Sequence, residues 1–285
     1  MTFLLHLFER AAPPAFSKRA FLVGIARGCG GALLFSLPML MTMEMWSLGF
    51  TVAPERLALL LAVNLPLLLL LALESGFEQT PGLREKLRDA FVAYAIGILA
   101  SLAILAIFGL LRSDQPAREM VGMVAIQAVP ASIGAVLARS QLGGNAAQNA
   151  EGSADMRYIN ELALMAIGAL FLCLNVAPTE EVILIAYKMS AWQGLALILL
   201  SLAVMHGFVF ALGFRGSHAV PEGHSRRGAF FRFTLPGYVL ALGVCVYVLW
   251  TFGRTDGIAA GQTLMTVIVL GFPAAIGAAA ARLIL

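Results

Sequence analysis

The stretch GALLFSLPMLMTMEMWS (residues 31–47) indicates the fold class, because it is a long apolar run interrupted by a single acid, Glu44. A helix needs about 20 mostly apolar residues to cross a hydrocarbon core roughly 30 Å thick. The backbone of such a segment must form its hydrogen bonds internally, which favours a helix. The sequence contains eight such runs, near 24–47, 57–75, 90–111, 119–138, 160–186, 191–213, 231–252 and 259–281.

Composition supports the same conclusion for the whole chain. Of its 285 residues, 60% are hydrophobic and only 12% are charged, and the mean hydropathy is +0.88. These values are typical of an integral membrane protein and lie outside the range of soluble domains. We therefore predict an all-α polytopic membrane protein with eight transmembrane helices, whose first partner is the lipid bilayer. A nucleic-acid partner is not expected, since the basic residues serve as an orientation signal.

The basic residues are distributed unequally between the two sides of the membrane. If the N-terminus is cytoplasmic, fourteen Lys and Arg residues lie on the inner side and five on the outer side. Those five are Arg56, Arg112, Arg118, Lys188 and Arg254. This bias predicts that both termini are cytoplasmic, in a cell inner membrane. Trp46, Trp192 and Trp250 fall at predicted outer interfaces, where indole rings concentrate, and they indicate the same orientation.

The first and second halves of the sequence also resemble each other. GALLFSLPMLMTMEMWS (31–47) aligns with GALFLCLNVAPTEEVIL (168–184) at a constant offset of 137. RSD at 112–114 matches RTD at 254–256, and VPASIGAVLARSQL (129–142) matches FPAAIGAAAARLIL (272–285). Collinear matches of this kind indicate a tandem duplication of four helices. Because four is even, the two repeats enter the membrane in the same direction, related by a pseudo-twofold axis along the membrane normal.

The duplication predicts the organisation of the chain. We expect a cytoplasmic N-terminal arm, a first four-helix repeat, a flexible inner linker rich in Gly, Asn and Gln, and a second four-helix repeat. The expected boundaries are 1–19, 20–142, 143–157 and 158–285.

Two motifs in the first and fifth runs carry a family resemblance. Thr-Met-Glu occurs at 42–44 and Pro-Thr-Glu-Glu at 178–181. In these motifs the chain resembles an uncharacterised bacterial family of multi-pass integral membrane proteins. The resemblance implies a membrane-protein class and no particular activity.

Glu44 and Glu181 are the main candidate site residues. A carboxylate at the centre of a membrane helix costs about 2.5 to 3.5 kcal/mol, and such acids usually face a polar interior. Here the acid occurs at equivalent positions of the two repeats. We expect both carboxylates in the outer half of the membrane, across the pseudo-twofold axis from each other, where they would attract an inorganic cation. Thr42, Thr179 and Glu180 are secondary contributors.

Pro38 and Pro178 predict helix breaks beside this site. Each proline removes a backbone hydrogen bond, which frees carbonyl oxygens that could coordinate an ion. Residues two apart on an ideal helix point about 200° away from each other. Thr42 and Thr179 therefore either bond back to their own helix or lie where the helix is broken.

Other polar groups have two interpretations. Asn64, Asn175 and His206 could line the same cavity, or they could form hydrogen bonds between helices, as membrane polar residues often do. The glutamates themselves could lie at the outer interface, capped or paired with Lys188, Arg56 or Arg118. In the RSD and RTD motifs, we expect each Arg to form an ion pair with the Asp of its own motif.

Three functional classes remain after this reading. The leading hypothesis is a channel or carrier for a cation, including a proton-coupled one, that uses the paired glutamates. The second is a non-transporting partner subunit or sensor that contacts others through its inner loops. The third, an intramembrane enzyme, is not favoured because no nucleophile with an adjacent base is recognisable. A homo-oligomer is compatible with the first two classes.

No cofactor or metal site is predicted. Cys29, Cys173 and Cys245 match no ligand spacing and imply no disulfide framework, so we expect them to pack as small apolar side chains. His218 and His224 lie in a loop without a third ligand nearby in the sequence.

Overall fold

The structure of the protein is a computed structural model that describes residues 18–75, 83–142, 154–210 and 230–284. Most of the predicted N-terminal arm (1–19) and of the linker (143–157) lies outside the described residues. At their edges, Lys18 and Ala154 already belong to helices.

The first half of the described chain contains five helices. They are α1 (Lys18–Leu40), α2 (Met43–Thr51), α3 (Pro54–Ser75), α4 (Leu83–Ile107) and α5 (Ala117–Leu142). The predicted first span, 24–47, therefore consists of two helices. The long helix α1 continues through Pro38 and ends at Leu40, and the short helix α2 follows after two residues.

The second half has the same order of long and short helices. They are α6 (Ala154–Val176), α7 (Glu180–Lys188), α8 (Ala191–Phe210), α9 (Leu235–Thr251) and α10 (Ala260–Ile284). A turn of π-helix, Phe230–Thr234, leads directly into α9. The predicted fifth span, 160–186, is divided between α6 and α7.

The prediction of eight apolar spans is confirmed. In the described part of the chain, eight helices are long and apolar enough to cross a bilayer, and no residue forms a β-strand. The spans are α1, α3, α4, α5, α6, α8, the π-turn with α9, and α10. The connections 52–53, 108–116, 189–190 and 252–259 lie together at one end of the bundle, which we call the short-loop end.

The last helix of each half is its core. Buried residues make up 72% of the span of α5 and 61% of that of α10, against 17 to 44% in the other spans. Helix α5 packs against α1, α2, α3 and α4, and α10 packs against α6, α7, α8 and α9. Each half is thus built around a helix that the others surround.

Small residues permit the closest helix crossings. A Cβ atom added to Gly31 would collide with the backbone of Gly134 in α5. In the second half, one added to Gly168 would collide with the backbone of Gly277 in α10. Close backbone approach at glycine is a common packing mode of membrane helices, because apolar burial between helices contributes little in lipid.

The two halves meet along α1, α3, α5, α6 and α9. Phe35 of α1 packs edge-on against Phe171 of α6, with ring centroids 5.3 Å apart. Helix α3 packs against both α6 and α9, whereas α8 makes no comparable contact with α1 or α4 within the described residues. The contacts between the halves are therefore unequal, although in each half the last helix packs against the other four.

Candidate functional site

The two helix breaks place a threonine at the start of each short helix. Thr42 precedes α2 and Thr179 precedes α7, both in extended backbone conformations that end the preceding helix. Glu44 and Glu181 follow at once, in the first turns of α2 and α7. A helix N-terminus carries unsatisfied N–H groups and partial positive charge, so an acid in the first turn stabilises the helix.

The carbonyl oxygens at the first break are occupied by donors of the protein. The carbonyl oxygen of Met39 accepts hydrogen bonds from the Thr42 hydroxyl (2.9 Å) and from the Gln127 amide nitrogen Nε2 (3.1 Å). The indole Nε1 of Trp46 donates to the carbonyl oxygen of Leu40 at 2.7 Å. These oxygens therefore stabilise the break, which reduces their availability to an ion.

The second break is capped in a different way. The Thr179 hydroxyl donates to the carbonyl oxygen of Val176 at 2.8 Å, as Thr42 does in the first half. Arg254, from the loop between α9 and α10, donates to the carbonyl oxygen of Pro178 and to Glu180 Oε1, the latter at 2.9 Å. Both threonines thus bond back to the preceding helix, and the helix is also broken at both sites.

The depth of Glu44 follows from the register of α1 and α2 against α5. Met39 is bonded to Gln127, and Gly49 lies against the backbone of Gly122. Glu44 therefore lies near the level of Ala125, which is about 12 Å along α5 from its first residue at a rise of 1.5 Å per residue. This position is inside the span of α5 and not at its end.

Glu181 lines a cavity of the second half together with Val269 of α10 and with Gln193 near the start of α8. Glu44 is half-buried and Glu181 is exposed. In the described part of the chain, neither carboxylate forms a hydrogen bond or ion pair with another side chain.

The structure does not bring the two glutamates into contact through their helices. Helix α2 packs against α5, and α7 packs against α10, within separate halves. No extensive packing occurs between α2 and α7 among the described residues. The two glutamates therefore lie on short helices that pack within different halves, and each has its own surroundings.

Thr179 and Glu181 share a cavity of about 540 Å³ between α6, α7, α8 and α10. Its walls are mostly apolar, and Gln193 is the third polar side chain that lines it. The apolar walls are formed by Val176, Val182, Ile185, Met189, Ala196, Leu197, Leu200, Val269, Phe272 and Pro273. Since Ile185 and Leu200 are exposed, the cavity opens toward the lipid-facing side of the bundle.

The aligned place in the first half is filled. Met39, Met45 and Leu48 are almost completely buried there. Gly49 of α2 also lies in backbone contact with Gly122 of α5. The aligned residues of the second half are Ala186 and Met265, whose side chains do not allow the same approach. Glu181 therefore borders an open cavity, and Glu44 borders packed side chains.

The remaining predicted polar residues lie elsewhere. Asn64 is fully buried and donates to the Ser132 hydroxyl at 2.9 Å, which links α3 to α5. Asn175 donates to the carbonyl oxygen of Phe171 in its own helix at 2.9 Å. His206 contacts the Thr234 hydroxyl at 2.9 Å, beside the π-turn. None of the three lines the cavity beside Glu181.

Sequence reasoning missed Gln127 and the role of Arg254. Gln127 is fully buried in α5, and its Oε1 has no hydrogen-bond partner. A lone amide in the middle of an apolar run was the available signal, since such groups often bond between membrane helices. Nothing in the sequence pairs Arg254 with residues 178–180, because that contact depends on how the loop folds back.

The arrangement offers anionic and neutral oxygen atoms within an apolar environment. Such a site is suited to cations, and it contains no nucleophile paired with a base. Among the described residues, no cluster of three or more His, Cys, Asp or Glu side chains could hold a metal ion.

Comparison with known proteins identifies the class of the chain. No curated protein and no solved structure matches it. A family described as "Putative integral membrane protein (DUF2391)" matches residues 24–285. The predicted resemblance to an uncharacterised multi-pass family is thereby confirmed, and the chain belongs to this family of integral membrane proteins.

Proposed function

We propose that the protein transports a cation across the membrane, as a channel or carrier, and that Glu44 and Glu181 each bind the cation, in their separate surroundings. The observation that carries this proposal is the position of the two carboxylates. Glu44 lies inside the span of the core helix α5, both carboxylates directly follow a helix break, and neither has a basic partner among the described residues. An intramembrane acid is energetically unfavourable without a function or a counter-charge.

The two breaks support the proposal further. Broken helices in membrane proteins occur where the backbone lines a cavity or is buried in protein, and they commonly form binding sites in transporters. Because the break carbonyls bond to Thr42, Gln127, Thr179 and Arg254, the carboxylates are the main ligands in this proposal. Proton coupling would follow if a proton and the cation compete for the same carboxylate.

The test is cation flux into liposomes that contain the purified protein, with K⁺, Na⁺, Ca²⁺ or H⁺ gradients. We expect flux in the wild type and its loss in the Glu44→Gln/Glu181→Gln double variant. Glu55→Gln is a control for the removal of a carboxylate outside the proposed site, since Glu55 is an exposed acid in the first turn of α3. Equal leak from the wild type and from empty liposomes would contradict the proposal for those ions.

We also propose that the chain arose by duplication and that both termini are cytoplasmic, in a bacterial inner membrane. The duplication is supported by the crossings Gly31–Gly134 and Gly168–Gly277, which involve aligned residues of the two halves. It is supported as well by the equivalent central positions of α5 and α10. In this orientation the short-loop end faces outward, and the five outer Lys and Arg residues lie there.

A second candidate function is a non-transporting subunit or sensor. The observation that favours it is the separation of Glu44 and Glu181 into different halves, each in the first turn of a helix that it stabilises. In that case the wild type shows no flux in any of the four gradients. The double variant would then lose stability and leave partner binding intact.

A further inference from the structure

The size and the mostly apolar lining of the cavity beside Glu181 do not suit a small hydrated ion. Its volume of about 540 Å³ lies within the range of pockets that hold drug-sized organic molecules. Thr179, Glu181 and Gln193 are its polar side chains, and the remaining ten lining residues are apolar. Apolar walls give no favourable contact to a hydrated inorganic ion, but they bind the apolar body of an organic ligand.

The negative charge of the Glu181 carboxylate determines that a ligand of this cavity should carry a positive charge. Glu181 has no cationic partner among the described residues, because the nearby Arg254 is bonded to Glu180 and to the carbonyl oxygen of Pro178. Lys188 lies seven residues further along α7, about 10 Å away along the helix axis. A carboxylate in an apolar surrounding is stabilised by a ligand that brings its own positive charge.

The opening of the cavity indicates the route of the ligand. Ile185 of α7 and Leu200 of α8 form part of its rim and are 46% and 49% exposed. Both residues belong to helices at the periphery of the second half, so the opening faces the acyl chains of the bilayer. A ligand that enters there must partition into lipid.

From size, charge and opening together, we propose that this cavity binds a lipophilic organic cation, whose charge lies at Glu181 and whose apolar body packs against Leu197, Val269 and Phe272. This inference rests on the proposed cation handling and names the class of cation. Glu44 does not line this cavity, and the residues Met39, Met45 and Leu48, which align with part of its wall, are almost completely buried.

Binding of tetraphenylphosphonium to the full-length protein in phosphatidylcholine nanodiscs tests the proposal, with binding to empty nanodiscs subtracted. We expect saturable binding by the wild type. Binding should weaken by about tenfold or more in Glu181→Gln, which removes the charge. Ala196→Phe should weaken it to a similar extent, because it fills the cavity and retains the carboxylate.

Two variants are matched controls. Glu55→Gln removes an exposed acid at the start of α3, and Ala203→Phe adds the same bulk at an exposed position of α8 that does not line the cavity. Both should bind tetraphenylphosphonium as the wild type does. Tetraphenylborate, which has the same shape and the opposite charge, should show no saturable binding.

The result that overturns the inference is the absence of saturable binding by the wild type, or unchanged binding in folded Glu181→Gln and Ala196→Phe proteins. Equal binding of tetraphenylborate would overturn it as well. Glu181-dependent flux of an inorganic cation without tetraphenylphosphonium binding would refute this inference alone. Glu181-dependent binding without any inorganic flux would support it and contradict inorganic ion transport.

Discussion

At the scale of single residues, the aligned arginines of the RSD and RTD motifs have different partners. Arg112 pairs with its own Asp114, at 3.0 and 2.8 Å, in a largely exposed loop. Arg254 instead caps the break before α7. The expectation of local pairing is therefore correct for the first motif and wrong for the second. The difference arises because Pro178 presents a carbonyl oxygen that Arg254 can reach.

Replacement of Arg254 should show which of its two contacts stabilises the protein. Arg254→Ala leaves the Pro178 carbonyl oxygen without this donor, so we expect the free energy of unfolding to fall by about 1 to 3 kcal/mol. Glu180→Gln should cost less than about 1 kcal/mol, since the Glu180 side chain is 73% exposed and an exposed ion pair contributes little. Unfolding of the two purified variants in mixed micelles measures both free energies. If Arg254→Ala and Glu180→Gln lose equal stability, the ion pair, and not the bond to the Pro178 carbonyl oxygen, provides the stabilisation.

At the scale of helices, composition predicts where a span lies, and packing decides where it breaks. Helix α1 passes through Pro38 and ends two residues later, whereas Pro178 lies in the second break itself. A proline therefore marks the region of each break but not its position. The breaks are stabilised by side chains from other parts of the chain, Gln127 in one case and Arg254 in the other.

The glycine crossings should be sensitive to a single methyl group. Gly31→Ala places a Cβ against the backbone of Gly134, and we expect a loss of about 1 to 3 kcal/mol in the free energy of unfolding. Gly30→Ala is the matched control, because no atom lies within 4 Å of its added Cβ. That variant should be neutral or slightly stabilising, since alanine is the better helix former.

The second half permits the same comparison independently. Gly168→Ala should destabilise the protein as Gly31→Ala does, because its Cβ meets the backbone of Gly277. Gly207→Ala has open space around its Cβ and serves as the control. Thermal unfolding followed by circular dichroism compares the four variants. Similar midpoints for Gly168→Ala and Gly207→Ala would contradict a close α6–α10 crossing at Gly168.

At the scale of the whole molecule, an ion pair joins the halves at the short-loop end. The guanidinium of Arg56, at the start of α3, bonds Asp256 at 2.8 and 3.0 Å and the carbonyl oxygen of Trp250 at 2.7 Å. It also lies 4.9 Å from the centre of the Trp250 ring. The aligned residue in the second half is Gln193, which bonds Ser190 within its own half. Gln193 therefore forms no equivalent connection between the halves within the described part of the chain.

The loss of stability on breaking this connection should depend on which of the two residues, Arg56 or Asp256, is replaced. Arg56→Gln removes the bond to Asp256, the bond to the backbone and the contact with the ring, so we expect a destabilisation of about 1 to 3 kcal/mol. Asp256→Asn should cost less than about 1 kcal/mol, because its side chain is 56% exposed. Unfolding of both variants in mixed micelles measures the difference. A larger effect of Asp256→Asn would contradict this assignment.

The sequence by itself determined the membrane class, the eight spans and the family, because a bilayer requires long apolar segments that satisfy their own backbone hydrogen bonds. It also predicted helix breaks close to Glu44 and Glu181, in the regions of Pro38 and Pro178. Tertiary structure alone decided that α5 and α10 form the two cores and that the glutamates lie in separate surroundings. It also decided that only Glu181 borders the open cavity. The reason is packing: Gly49 and Gly122 allow the backbones of α2 and α5 to meet. The aligned positions of the second half carry Ala186 and Met265, and the Met265 side chain packs against Gly194 of α8.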